Sequence, residues 1–328
     1  MANKNTKICL ISGISGQDGS NLTDYLLSLG HEVHGLIRRN SVAENQSYRL
    51  DDVKEKITLH YGDITDPFSV EEAVKQANPD YIFHLAAMSH VKISFDMPTF
   101  VMQTNFVGTL NILEAYRKIC PKAHFYFAGS SECFGLSIDD DEYQRESTPF
   151  NPTSPYGISK VASVNLVRHY RRAYGLFASV GLLFNHSGIR RGSNFVCQKI
   201  VMGAVRIKLG QQYRLELGNL DSFRDIGNSK DYVRAMWLIV NHIQPMDFVV
   251  ATGDTHSVRE MCETVFGYLD LDYKDYVIQN AKFMRPEELP YLRGDSTKIR
   301  TILGWQPTYT FESMMKEMVD YWLNYYKK

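Results

Sequence analysis

The sequence predicts an α/β protein: a doubly wound parallel sheet with a smaller, discontinuous C-terminal lobe. Three observations predict it. Short apolar runs alternate with amphipathic stretches from residue 7 to about residue 184. Three glycines, Gly13, Gly16 and Gly19, stand between the first apolar run and the first amphipathic stretch. Beyond residue 184 the alternation loosens, with arginines and glycines at 190–192, and helical patterns return piecemeal.

Taken in order, residues 7–12 (KICLIS) read as a buried strand and residues 20–29 as a helix, with Leu22, Leu26 and Leu29 at helical spacing and Gly30 as its stop. Residues 32–37 (EVHGLI) make a second strand, and 57–61, 81–85 and 124–128 make further ones, separated by helical patterns at 70–76 and 106–118. Apolar strand cores of this kind are covered on both faces, and their crossovers are right-handed. A long helix runs from Tyr156 to about Tyr174, and an apolar segment follows at 178–184. Then come a helix at 195–209, a strand-like 213–217, a helix at 231–240, and a strand-like 248–251 that returns to the main sheet. Stretches 257–269 and 311–325 read as closing helices. The expected division is one lobe from residues 1–182 plus about 224–254, and another from about 183–223 and 255–328.

Composition narrows the function classes. At 328 residues and 44% hydrophobic, the chain can bury a large core. Lys plus Arg number 36 against 37 Asp plus Glu, so no global field favours nucleic acid or an anionic membrane. The five cysteines are scattered, with neither a CxxC pair nor zinc-like spacing to histidine. No metal site and a reducing cytoplasmic location are therefore expected. The apolar run within residues 1–13 breaks at glycine, too short for a signal peptide, and no stretch approaches a membrane span.

The glycines carry the first chemical signal. Gly13-Ile14-Ser15-Gly16-Gln17-Asp18-Gly19 falls between strand and helix. There the first glycine permits a tight turn, the second lets backbone approach a pyrophosphate, and the third lets helix pack on sheet. The helix N-terminus then receives phosphate, with Gln17 and Asp18 beside it. This is the Rossmann-type arrangement; a purely structural turn is the alternative. Where an NAD enzyme places an acidic residue after the second strand, this chain has Arg38-Arg39, whose guanidinium groups suit the 2′-phosphate of NADP. A solvated pair is the plain alternative. Asp63, followed by Ile64, is placed to meet the adenine amino group or else to cap the next helix. Leu85, Ala86, Ala87 and Ser89, at the end of another strand, would lie along the cofactor.

The second signal is Tyr156-Gly157-Ile158-Ser159-Lys160, whose i, i+4 spacing puts phenol and ammonium on one helical face. A cation beside a phenol favours the phenolate, which makes Tyr156 a candidate base with Lys160 as its partner. Upstream, Ser130, Ser131 and Glu132 sit at the C-terminal end of a strand, the rim where open α/β sheets bind ligands. Ser130 is a candidate to share a substrate hydroxyl proton with Tyr156, and Glu132 a candidate second acid/base; a surface carboxylate capping a turn is the alternative.

Together with the HYGD of 60–63, the HLAAMSHVKISF of 84–95, SPYGISK of 154–160, LFNHSGIRRG of 183–192, LGNLDSFRDIGNSKDYV of 217–233 and ATGDTHSVRE of 251–260, these motifs resemble the GDP-mannose 4,6-dehydratase family of extended short-chain dehydrogenases/reductases. The resemblance covers nearly the whole chain. It implies an NADP-dependent hydro-lyase with a catalytic set at Ser130, Ser131, Glu132, Tyr156 and Lys160. It also implies cofactor contacts from Phe100, His186 and Arg191, the last two with the neighbouring subunit as the alternative, and a GDP-sugar held by Ser89, Asn185, Lys199, Arg224, Arg285 and Glu288. An ion pair with Asp225 is the alternative for Arg224. A homo-oligomer, dimer or tetramer, is implied, with the loop at 38–41 similar to the family's subunit-reaching segment though shorter. Three departures stand out: Ser130 for the usual threonine, Ser187-Gly188-Ile189 where Glu-Ser-Pro is usual, and a shortened segment before Met284. They leave open another GDP-sugar, an amino sugar or heptose. A sugar-nucleotide 4-epimerase or 4-reductase, with no need of Glu132, is the next alternative, and a dinucleotide-sensing or RNA-binding protein the distant one.

Overall fold

The computed structural model describes residues 6–39 and 48–327. Residues 1–5 of the start and residues 40 and 41 of the subunit-reaching loop lie outside them. Seven parallel strands form the main sheet. In chain order they begin β1 Ile8–Ser12, β2 Glu32–Ile37, β3 Ile57–Tyr61, β4 Tyr81–His84, β5 His124–Ala128 and β6 Ala178–Leu183. The chain then leaves for β7 Asn185–Ser187, β8 Leu215–Leu217 and β9 Phe223–Asn228, and returns with β10 Asp247–Val250, paired to β6. The spatial order is β10-β6-β5-β4-β1-β2-β3, so the chain winds outward from β1 in one direction and then, from β4, in the other. The connections leaving the carboxyl ends of β1 and β4 therefore run to opposite faces of the sheet, leaving a crevice at Ser12-Gly13 and His84-Leu85.

Helices cover both faces. On one side α2 Pro67–Ala77, the short α3 Val91–Asp96 and α4 Pro98–Met102, α5 Gly108–Ile119 and α6 Pro155–Tyr174 follow α1 Gln17–Ser28, which lies on the other. Val70, Val74, Ile112, Leu113, Val164 and Val167 fill the first face against Phe125 and Phe127. Leu22 and Leu26 fill the second, with Met236 and Ile239 from a later helix. Both cores exclude water, which is the main stabilising term of the sheet. Helix α6 starts sharply because the Ser154 hydroxyl accepts the Gly157 N–H at 3.0 Å and Pro155 follows it; Gly175, at φ +65°, ends it.

The remaining elements are α7 Val196–Lys208, α8 Ser229–Val240, β11 Thr255–Ser257, α9 Val258–Tyr268, β12 Val277–Gln279, β13 Tyr291–Leu292, α10 Thr297–Leu303 and α11 Phe311–Tyr326. Here β9 is the centre of a small mixed sheet with β7, β11 and β13, while β8 pairs with β12. A third core, from Ile200, Val201, Val265, Phe266, Met314 and Met318, joins α7, α9 and α11 into the smaller lobe. Within residues 255–328, Ile299 and Trp305 pack instead into the main-sheet core. Trp305 donates its indole N–H to the Asp231 carbonyl at 2.9 Å, an anchor that pattern reading does not reveal.

Candidate active site

The crevice is built from the glycine turn upward. Gly13 has φ +76°, and a Cβ there would lie 2.8 Å from the Ala86 nitrogen, so β1 and the strand-end segment of β4 meet at van der Waals limits. A Cβ on Gly19 would collide with the Gly13 carbonyl oxygen and lie 2.6 Å from Ile14 Cα, which is what seats α1 on the turn. Gly16 is the N-cap of α1 and supplies no side-chain cap, leaving first-turn N–H groups as donors to an anion. Gln17 is buried beside them with its Oε1 unpartnered, and its amide donates to Asp18 at 2.9 Å. An uncapped helix start and a turn closed to any Cβ fit a dinucleotide diphosphate.

The flank of this turn is strongly polarised. His186 Nε2 lies 2.8 Å from Asp18 Oδ2 and its Nδ1 2.8 Å from the Phe184 carbonyl, with the ring stacked on Tyr232. Both ring nitrogens thus face oxygen acceptors. Burial alone would raise Asp18, but His186, Gln17 and Arg191 hold it down at about 2. Arg191 itself lies 3.7 Å above the Phe195 ring. Arg49, which carries no local sequence signal, donates to the Ser15 carbonyl at 3.3 Å and the Arg190 carbonyl at 2.8 Å, tying the turn to the segment after β7.

On the other side of the crevice stand the catalytic candidates. Tyr156 and Lys160 lie on the first turns of α6, both buried, with the ammonium 5.9 Å from the phenol ring centroid. Lys160 donates to the Ala128 carbonyl at the end of β5 at 2.8 Å, and burial brings its ammonium down to about 8. The expected lowering of the Tyr156 phenol is not what the protein alone provides: burial pushes it well up, opposed by the Ser130 hydroxyl. The physical reason is that Lys160 spends its bond on a carbonyl while apolar surroundings penalise a phenolate. Ser130 also accepts the Glu132 N–H at 3.2 Å, and Glu132 is buried, with Oε2 unpartnered. The turn-capping alternative for Glu132 fails, because Ser130 does the capping.

A hydrogen-bonded seam braces α6 against the crevice floor. Ser12 meets His84 at 2.7 Å, His84 meets Thr109 at 3.1 Å, and Thr109 donates to the Asn105 carbonyl at 2.6 Å. Asn105 holds the Met88 backbone at 2.8 and 3.1 Å and Ser159 at 2.9 Å, one turn from Tyr156. Burial holds His84 down at about 3, so the ring is neutral.

From the smaller lobe, Arg224 donates to Glu288 at 2.7 Å, and Arg285 lies 3.3 Å from Glu288 and 3.4 Å from Glu132. Arg224 is therefore not the ion partner of Asp225, which is buried and accepts from Thr252, Gly253 and Gly294. Lys199 donates to the Glu216 carbonyl at 2.6 Å and lies 3.4 Å over the Phe283 ring. Asn185 begins β7, half-buried beside His186.

Other candidates are less engaged. Asp63 turns its carboxylate onto Thr65 N and Oγ1 at 2.9 and 2.8 Å, and the cap of α2 is Asp66 instead. The Ile64 side chain is in the core, while Leu85, Ala86 and Ala87 line the strand end half-buried and Ser89 is exposed. Arg38 and Arg39 are exposed after β2, Arg39 lying 5.7 Å over the Tyr61 ring. Phe100 is 37% exposed on α4, and among the described residues no hydrogen bond or ring contact ties it to this cluster.

The arrangement can hold a diphosphate at one end and move protons at the other. A family model described as GDP-mannose 4,6 dehydratase matches residues 10–318. GDP-mannose 4,6 dehydratase 2 of Arabidopsis thaliana is 45% identical over 96% of this chain and 86% of its own length. The human GDP-mannose 4,6 dehydratase is 40% identical over 96% and 91%. Among solved structures, a Thermus thermophilus UDP-glucose 4-epimerase in complex with NAD superposes with TM-score 0.84 at 25% identity, covering 96% of this chain and 98% of that one. A Bacillus anthracis dTDP-glucose 4,6-dehydratase with NAD gives 0.81 at 22% identity, covering 97% and 96%, and supports the fold alone.

Proposed function

The chain belongs to the GDP-mannose 4,6-dehydratase family, and on that premise we propose that it is an NADP-dependent hydro-lyase converting GDP-mannose to its 4-keto-6-deoxy product. The observation that carries this reading is the buried Glu132 carboxylate, one oxygen unpartnered, beside Ser130, Tyr156 and Lys160. An epimerase or 4-reductase needs the phenol and lysine but no second base.

NADP is the cofactor the residues suit: Gly13, Gly16, Gln17, Asp18 and Gly19 at the diphosphate, Arg38 at the 2′-phosphate, Asp63 and Ile64 toward the adenine, Leu85, Ala86, Ala87 and Ser89 along its length, and His186 and Arg191 beside Asp18. Phe100 belongs to the same proposal. When bound, NADP supplies the redox half of the reaction, accepting a hydride from C4 and returning it at C6. Tyr156 takes the 4-hydroxyl proton as its phenolate, a form that Lys160 and the positive nicotinamide of a bound cofactor would stabilise against burial, with Ser130 donating to it. Lys160 fixes the Tyr156 side of the site and supplies positive charge as that proton leaves. Glu132 removes the C5 proton, acidified by the adjacent ketone, and delivers a proton to the departing 6-hydroxyl, so one water is lost per turnover; the proton taken from the 4-hydroxyl balances the one that C5 regains when hydride reaches C6. Arg224 and Arg285 suit the substrate diphosphate, Lys199 and Asn185 its neighbouring oxygens, and Glu288 the guanine edge. The larger lobe, residues 1–182 with α8 and β10, would hold NADP, and the smaller lobe, to which the small sheet assigns β9 where 224–228 was expected in the larger one, the GDP-sugar.

The test is to incubate the purified protein with GDP-mannose, GDP-linked amino sugars and GDP-heptose and follow loss of water by mass spectrometry. Water loss from GDP-mannose is expected, abolished in Glu132→Gln. Full turnover by Glu132→Gln would remove the dehydratase reading.

A further inference from the structure

We propose that Arg285 is a transferable latch: in the free protein it is held by Glu132 and Glu288, and the diphosphate of an arriving nucleotide takes it over, releasing the Glu132 carboxylate for proton transfer. This rests on the reading of the site as a GDP-sugar dehydratase and adds an order of events to it.

The geometry is unusual for a binding arginine. Arg285 Nη1 sits 3.4 Å from Glu132 Oε1 and 3.3 Å from Glu288 Oε1, both long for a charge-assisted bond, so neither carboxylate holds it firmly. Glu288 is already engaged at 2.7 Å by the buried Arg224. The four charges alternate, Arg224, Glu288, Arg285, Glu132, and link a site for anions to a site for proton transfer. A diphosphate offers Arg285 shorter, bidentate bonds and carries enough negative charge to win it. Glu132 then loses its only side-chain partner among the described residues, and both of its oxygens become free acceptors. Glu132 and Arg285 are separated by 153 positions in the sequence, and the latch also joins the lobes, since Arg285 comes from the segment between β12 and β13.

If Glu132 competes with diphosphate for Arg285, neutralising Glu132 must strengthen binding of GDP, a ligand that lacks the sugar. Calorimetry on the NADP-loaded protein is expected to show GDP binding about three- to tenfold tighter in Glu132→Gln than in wild type. In an Arg285→Met background, or Arg285→Gln if the first is unstable, the same Glu132→Gln change is expected to leave GDP affinity unaltered. Simple charge repulsion between Glu132 and the diphosphate predicts instead a gain that persists without Arg285, and that result overturns the latch. So does equal GDP affinity in wild type and Glu132→Gln, in a protein that dehydrates GDP-mannose normally. A protein that binds no GDP at all overturns the functional reading and the latch together.

Discussion

At the scale of single residues, the chemistry depends on two kinds of information. Tyr156 and Lys160 are visible in the sequence because i, i+4 spacing on a helix is enough to pair them. Arg285 is visible only as a family match, since nothing local connects it to Glu132 in another lobe. Arg49 is not visible at all: it lies in a polar stretch without periodicity, and its two acceptors are backbone carbonyls. Tyr156→Phe keeps the ring in its buried place and removes only the proton acceptor. Its kcat for water loss from GDP-mannose should fall by about 10²–10⁴ with an unchanged circular dichroism spectrum. A loss of less than tenfold would mean that another group takes the 4-hydroxyl proton.

At the scale of elements, the strands and helices of the main sheet are legible because each is long enough to show its period; α1, α5 and α6 fall within a few residues of expectation, as do the long helices α9 and α11 of the smaller lobe. The small sheet is not, because β7, β11 and β13 have two or three residues each and β9 interrupts its apolar pattern with Arg224, Asp225 and Gly227. The glycine turn is the element whose geometry constrains most. Gly13→Ala puts a Cβ into the left-handed region and within 2.8 Å of Ala86 N, so the β1 and β4 ends must part. A stability loss of about 1–3 kcal/mol in urea unfolding is expected, together with weaker NADPH binding in a fluorescence titration. An unchanged NADPH affinity would show that the turn does not seat the diphosphate.

At the scale of the whole molecule, the seam from Ser12 to Ser159 places a neutral imidazole at the centre of the sheet. His84 is held at about 3, against an ordinary value of 6.5. Between these values the unfolded chain binds a proton that the native one refuses, so stability rises with pH in that window and is lost as pH falls from about 6.5 toward 3. The contribution approaches about 1.4 kcal/mol per pH unit well inside the window. Denaturant titrations at pH 7, 6 and 5 should therefore show a shallower pH slope for His84→Gln than for wild type, whatever its absolute stability. Equal slopes would mean that His84 takes up its proton without unfolding. Composition foretold no such centre, because burial of a histidine depends on which strands become neighbours. Among the described residues no helix is long and apolar enough to cross a membrane.

The seventh strand of the main sheet, β10, and the Trp305 anchor on Asp231 come from beyond the first excursion of the chain into the smaller lobe. Asp231 also accepts from Thr308 and Tyr309, so the closing contacts come from residues 305–309, far downstream of the nucleotide turn. During synthesis, therefore, a nascent chain has its nucleotide turn and proton-transfer groups long before its edge is sealed. Ribosome-bound chains halted before residue 305 emerges should stay open to protease along α8, and protection should appear only once that tryptophan has left the exit tunnel.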